Sequence, residues 1–451
     1  MILLKAYACA QIPRVYCKLP RRWAMVGRVA SFGSLEVEHM RTVMVQIVRH
    51  VALCSVLLFA ANGKAFGQNT AQPVVSDEQI PDGSLDPFLG KPDLQKQILF
   101  SGERFPNIVV TKKGTVLAVW GSQSVRCRRS EDGGQTWEKE IAIAVPGFHG
   151  GGVTVDETNG HIFVFVQAQH PPAPLTVYRS RDDGKTWEQT PVTIHPDQKG
   201  HTPSMHMAEH GITLCYGPAK GRLIRPARVY DRPRGYNTAI YSDDGGATWH
   251  TSAPFPDEGT GEGAIAELTD GRLYYSSRKH HFENIADFSW KRFFAWSYDG
   301  GETWTHLAVS DVLPDGPRYR GEERRGSNYN GHFGMMAGLT RLPVRGRDIL
   351  IYSNSDHEGH ERIRLTVWAG FDGGQSWPIK RLVHEGMSAY SSLAAGRPGT
   401  PSEGWIYLFF EHGDGKQQYA GRTVARFNLA WLLAGEKTAD GDIPTWLAER
   451  R

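Results

Sequence analysis

The sequence predicts an all-β chain folded as a six-bladed β-propeller of four-stranded blades. The first observation behind this is a short motif, S-x-D-x-G-x-T-W. It stands in full at Ser130 to Trp137, Ser180 to Trp187, Ser242 to Trp249 and Ser297 to Trp304, and in degraded form from Gly370 to Trp377. The second is spacing: successive copies start 50 to 73 residues apart, which marks one supersecondary unit repeated around an axis. The third is composition. Short apolar runs alternate with turn clusters, and 50 Gly and 26 Pro in 451 residues read as strands and turns.

Taken in order, residues 1–67 form a leader. Arg41 and Arg49 precede the apolar stretch Val51 to Ala61, which is too short to span a bilayer and reads as a secretory signal. Ala65 and Gly67 set a cleavage site near Gln68. Met40 or Met44 is the natural start, so residues 1–39 are an over-extended one. Cys54 lies inside the apolar run, which argues against a lipid anchor. Residues 68–94 are polar and Pro-rich, a linker or an N-terminal extension. Residues 95–435 carry the propeller, and 436–451 a C-terminal tail.

Within the propeller each unit opens with an inner strand that begins at a conspicuous polar residue. A second strand rich in Val, Leu, Tyr and Phe follows, as at 116–120, 162–166 and 405–410. A third strand leads into the motif. Five motifs and a motif-free unit from Ser388 to Phe427 make six blades. In the motif, Asp and Gly supply a tight turn and Trp packs between blades. The motif sets the fold and not an activity.

Charge excludes one class of partner. The leader holds nine Lys or Arg against two Glu, a charge of +7, and the whole chain is +3, so the remainder is −4. No basic footprint for nucleic acid survives. Past the leader only Cys127 and Cys215 remain, too few for a disulfide framework, and unpaired thiols are expected. No metal-ligand spacing stands out, since His280-His281 and His357 to His360 are isolated pairs in loops. No cofactor is expected, no membrane span in the mature chain, and a monomer.

In a propeller the inner strands start at one face around the central channel, where ligands bind. The six inner-strand starts read Arg104-Phe105-Pro106, His149-Gly150-Gly151, His206-Met207-Ala208, Glu262-Gly263-Ala264, His332-Phe333-Gly334 and Tyr390-Ser391-Ser392. The second strands return to that face with Trp120, Gln167, Arg225, Arg278, Arg362 and Glu411. Converging arginines suit a compact anion, because a guanidinium matches a carboxylate bidentately. A Tyr beside a Glu is a nucleophile whose proton the carboxylate can take.

These residues resemble the sialidase (neuraminidase) family over about residues 98–430. Arg104-Phe105-Pro106 is similar to the family's R-I-P signature. The segment Glu262 to Leu273 with Arg278, the strand Arg362 to Val367, Ser388 to Leu393 and Phe409-Phe410-Glu411 each resemble a family segment. The resemblance implies that Arg104, Arg278 and Arg362 clamp a sugar carboxylate and that Glu411 orients Arg104. It implies that Tyr390 attacks the anomeric carbon with Glu262 as its base, giving retention of configuration. The substrates so implied are sialylated or other anionic-sugar glycoconjugates, met by a secreted or periplasmic exo-glycosidase.

The match fails at one place. The family carries its acid, an aspartate, in the loop after the second strand of the first blade. Here that loop is Gly121-Ser122-Gln123-Ser124, without a carboxylate. Three readings compete: His149 serves as the acid, its ordinary pKa suiting the task; a carboxylate from another loop, Asp287 or Asp356, reaches in; or the protein binds sugar without catalysis. Another 2-keto acid sugar as substrate is a further alternative.

Overall fold

Backbone pairing closes this chain on itself. The strand Leu94–Ser101, near the start of the folded body, runs antiparallel to Gly421–Phe427 near its end, so the last sheet is completed by the first strand. The structure is a computed structural model, and it describes residues 82–449 apart from 207, 232–233, 283–288, 317–333, 360 and 418. The leader, the extension up to residue 81, Met207, Asp287, His332, Phe333 and His360 lie outside the described residues.

The fold is an all-β propeller with four-stranded blades. Asn107–Val110, Val116–Trp120, Val125–Ser130 and Ile141–Ala144 make one antiparallel sheet, and Thr260–Glu267, Leu273–Lys279, Lys291–Ser297 and Thr305–Pro314 another. Two five-stranded sheets lie between them in sequence. The expected count of six separate blades is not reproduced. Four sheets are discrete, and the remaining strands share one eight-stranded sheet. The cause is the 17-residue strand Ile379–Ala395. Its first half pairs with Ile363–Gly370 and its second half with Ile406–His412, so two units are joined without a break.

The apolar core is a ring of separate clusters between successive sheets. Val119, Cys127, Val155 and Val164 fill one gap, and Phe163, Phe165, Leu223 and Trp249 the next. Strands buried on both faces read as near-continuous apolar runs, which is why 162–166 and 405–410 stand out. Cys127 and Cys215 are both free, and burial pushes each thiol up to about 12.

The repeated motif is a self-contained hydrogen-bonded turn. Asp132 accepts from the amides of Gln135 and Thr136 and from the Thr136 hydroxyl, while Ser130 Oγ donates to Asp132 and accepts from Gly134 N. The same set recurs at Asp244, and at Asp372 without the serine. Gly246 has φ +89°, and a Cβ there would sit 2.6 Å from the Phe163 ring, so glycine serves both the turn and the contact with the preceding sheet. Trp249 is fully buried against Phe165, ring centroids 5.4 Å apart, and donates Nε1–H to Gly246 O at 2.9 Å. Trp249→Ala should therefore cost about 3–5 kcal/mol in urea unfolding. A loss under about 1 kcal/mol, the range of ordinary surface changes, would refute its role as packing between blades.

The C-terminal residues dock on the body: Leu432, Leu433 and Leu447 are buried in the cluster of the eight-stranded sheet. Among the described residues no helix is long and apolar enough to cross a membrane, and no group of three or more His, Cys, Asp or Glu is placed to hold a metal.

Candidate active site

Residues distant in the chain meet at one end of the sheets. Arg104 and Phe105 stand just before Asn107–Val110, separated from it by Pro106; Glu262 lies in Thr260–Glu267 and Arg278 in Leu273–Lys279. Arg362 precedes Ile363–Gly370, Tyr390 lies in Ile379–Ala395, and Glu411 in Ile406–His412. Arg104, Glu262, Arg278, Arg362 and Tyr390 all line a single cavity of about 600 Å³.

Local backbone irregularity aims the two central groups. Register shifts fall between Gly261 and Gly263 and between Ser388 and Ser391, so Glu262 and Tyr390 each sit in a bulge. Bulges re-aim side chains and are common next to active sites. Glu262 has φ +49° and Phe105 φ +76°, conformations rarely adopted by non-glycine residues and enriched at functional sites.

The floor of the cavity is a hydrogen-bonded triangle. Tyr390 Oη donates to Glu262 Oε1 at 2.6 Å, Arg278 Nη1 donates to Tyr390 Oη at 3.2 Å, and Arg278 also pairs with Glu262. The Arg104 and Arg362 guanidinium carbons lie 5.0 and 5.4 Å from the centre of the Tyr390 ring. Glu411, fully buried, takes Arg104 bidentately at 3.0 and 2.9 Å and accepts the amides of Phe105 and Tyr390 at 3.1 and 3.2 Å. One carboxylate thus holds an arginine and two backbone segments in place.

Electrostatics follow from this packing. Burial raises the Glu262 carboxyl, but the Arg278 charge, with hydrogen bonds from Arg278 and Tyr390, outweighs it and holds the group well below the usual carboxylate range. Burial and the adjacent Glu262 charge push the Tyr390 phenol up to about 12 against the pull of three arginines. The proton of this pair therefore rests on Tyr390.

Several expected residues fall elsewhere. His149 is fully buried, bonded through Nδ1 to Phe105 O at 3.2 Å, and does not line the cavity. Burial lowers its imidazole to about 4, so it stands neutral behind Phe105, without a path to a leaving group. Arg225 is fully buried and faces the core. Its guanidinium lies 4.5 Å from the Phe165 ring, and a Cβ on Gly152 would collide with it. Asp356 binds Lys380 at 2.7 Å and is not part of the lining. In the loop after the first sheet's second strand, Glu103 accepts the amides of Ser122, Gln123 and Ser124, so it serves as a loop cap.

Other lining residues escaped sequence reasoning. The strand Leu223–Val229 runs past Arg225, which brings Arg228 to the cavity. Arg228 is 4% exposed, stacks 4.5 Å from the Tyr230 ring and has no carboxylate partner among the described residues. Asp231 and Arg234, which follow in the chain, line the cavity as well. Tyr419 lies 3.7 Å under the Arg104 guanidinium and accepts from Arg362 Nη1 at 3.2 Å, linking two of the three arginines. The strand length past Arg225 was the available signal for Arg228; nothing local marks Tyr419.

Comparisons with known proteins bear on the family and the fold. The BNR/Asp-box repeat family model matches residues 240–251, one of the turns described above. A sialidase of Micromonospora viridifaciens is 30% identical over 404 residues, 81% of this chain and 57% of that protein. The chain thus spans little more than half the length of that relative. Among solved structures, the Hadza microbial sialidase Hz136 aligns with a TM-score of 0.56 at 24% identity, over 73% of this chain and 66% of its own. The intramolecular trans-sialidase from Ruminococcus gnavus, in complex with oseltamivir carboxylate, aligns at 0.58 with 15% identity, over 76% and 99%. These two likenesses speak to the fold.

Proposed function

Since the chain belongs to the sialidase family of BNR/Asp-box propellers, we propose that it is a retaining exo-glycoside hydrolase that releases terminal sialic acid. The observation that carries this is the Tyr390–Glu262–Arg278 triangle beneath Arg104 and Arg362. In this reading the eight-stranded sheet contributes two blades, which makes six around the axis.

The three arginines take the sugar carboxylate. An anionic nucleophile would be repelled by that carboxylate, whereas a phenol that loses its proton only during attack approaches nearly neutral. Tyr390 Oη bonds to the anomeric carbon while its proton passes to Glu262. The arginines oppose the negative end of the sugar as positive character develops at the anomeric carbon. The carboxylate does not identify the whole sugar, so another 2-keto acid glycoside is the alternative substrate. Arg228, on the wall contributed by the sheet that contains Leu223–Val229, is placed to read the substituents at the sugar's far end. The leader composition suggests action outside the cytoplasm, on sialylated glycoconjugates.

The test is incubation of the full chain with a panel of sialosides and other 2-keto acid glycosides, with products identified by mass and anomeric configuration. Release of a free α-configured sialic acid from α-sialosides is the expected result. No release from any member, with binding retained, would replace the enzyme reading with that of a sugar-binding propeller.

A further inference from the structure

The proposed chemistry lacks a donor for the leaving-group proton, and the cavity supplies one. Tyr390 is buried at the floor at 7% exposure. A displacement by Oη requires the leaving oxygen on the opposite side of the anomeric carbon, which is the mouth. An acid for that oxygen must therefore stand at the rim. Among the described residues that line the cavity, the carboxylates are Glu262 and Asp231. Glu262 is committed at the floor to Tyr390 and Arg278. Asp231 is exposed, on the turn that follows Leu223–Val229, and no described residue hydrogen-bonds or pairs with its carboxylate.

A second observation is an adjoining groove that could seat a leaving group. A neighbouring groove of about 680 Å³ shares Arg234 with the cavity and is walled by Tyr236, Phe282 and Phe293. Aromatic faces beside cations suit a sugar chain with polar edges. Arg234, which lines both, is three residues from Asp231 in the chain. Two of the lining histidines, His206 and His170, serve less well. Burial lowers His206 well below its usual value, which leaves a neutral ring, and the His170 Nδ1 is engaged by Pro171 O at 2.9 Å.

We propose that Asp231 is the general acid and base of the reaction, with the adjoining groove as the seat of the departing glycan. This rests on the hydrolase reading above. In the first step the bond from Tyr390 Oη to the anomeric carbon forms and the glycosidic bond breaks. The tyrosine proton goes to Glu262, and the Asp231 carboxyl proton goes to the leaving oxygen. In the second step Asp231 takes a proton from water as that water's oxygen bonds to the anomeric carbon. The bond to Tyr390 breaks, and the phenolate recovers its proton from Glu262.

The experiment compares wild type, Asp231→Asn, Asp231→Ala and His170→Ala on 3′-sialyllactose and on an aryl sialoside. An aryl leaving group departs without protonation, whereas a sugar does not. For both Asp231 variants kcat/KM on 3′-sialyllactose should fall on the order of 10²–10⁴-fold, the usual share of an acid catalyst, and far less on the aryl substrate. Sodium azide should raise aryl turnover by Asp231→Ala and yield the sialyl azide, a rescue that a merely structural role would not produce. Equal loss on both substrates, no loss on either, or a leaving-group-selective loss in His170→Ala instead would overturn the assignment. Wild type inert on both substrates would fail the hydrolase reading itself, a result distinct from these.

Discussion

Tyr390→Phe should reduce kcat on an aryl sialoside on the order of 10⁴-fold or more, the scale seen when a covalent nucleophile is removed. Affinity for a non-hydrolysed sialic acid analogue should hold within about threefold, under 1 kcal/mol. The two readouts separate because the substitution deletes one oxygen. The ring, which lies 5.0 and 5.4 Å from the Arg104 and Arg362 guanidinium carbons, stays in place to bear the clamp. Glu262 loses its 2.6 Å donor and Arg278 its 3.2 Å acceptor, but the two charges keep each other, so the fold should lose two hydrogen bonds, about 2 kcal/mol. Residual turnover within about tenfold of wild type, a barrier change of only about 1.4 kcal/mol, would show that Tyr390 does not bond to the sugar. Titration calorimetry and initial rates on the same preparations decide the matter.

Glu411→Ala should destabilise the protein by about 3 kcal/mol and weaken substrate binding together. Removing one partner of a buried ion pair costs about 3–5 kcal/mol because the other charge is left unpaired. The lower end applies because the Arg104 side chain keeps 27% exposure while Glu411 has none. Two backbone amides, of Phe105 and Tyr390, lose their acceptor at the same time, so the segment that carries Tyr390 loosens as well. The pH dependence supports the same test. Burial raises the Glu411 carboxyl, but the charge and hydrogen bonds of Arg104 outweigh it, and its folded value lies below the ordinary 4.5. A depressed folded value means that the stabilisation is present above 4.5 and is lost as pH falls below it. Wild type should therefore lose stability over that acid range, and Glu411→Ala should show a shallower slope. Urea midpoints at pH 7 and pH 3.5 measure both. A loss under about 1 kcal/mol at pH 7, the worth of a surface pair, would refute the anchoring role.

Most of the site's membership was legible because blade repetition puts equivalent positions on one face. Arg104, Glu262, Arg278, Arg362, Tyr390 and Glu411 were found by lining up strand starts and ends, and the structure brings them together. The same device failed at Arg225, where the strand continues to Val229 and the lining arginine is Arg228. It failed at His149 because a strand start can face the channel wall as readily as the cavity, and full burial behind Phe105 is set by the neighbouring sheets. Six separate blades were expected from counting motifs, but counting cannot show that one unbroken strand, Ile379–Ala395, serves two units.

By itself, then, the sequence determined the repeated turn, the strands it joins and the charged set on one face. Each of these depends on interactions within a few residues: an Asp accepting the amides three and four positions on, a glycine allowing a left-handed turn, and apolar runs buried on both faces. Only the tertiary structure decided which groups touch and in what protonation state. The Tyr390–Glu262 hydrogen bond spans 128 positions and the Arg104–Glu411 pair 307. Such contacts, together with the loss of water around them, arise only when the sheets close into a ring. Asp231 has no local motif to announce it; its candidacy comes from being an exposed carboxylate that lines the same cavity as the buried Tyr390.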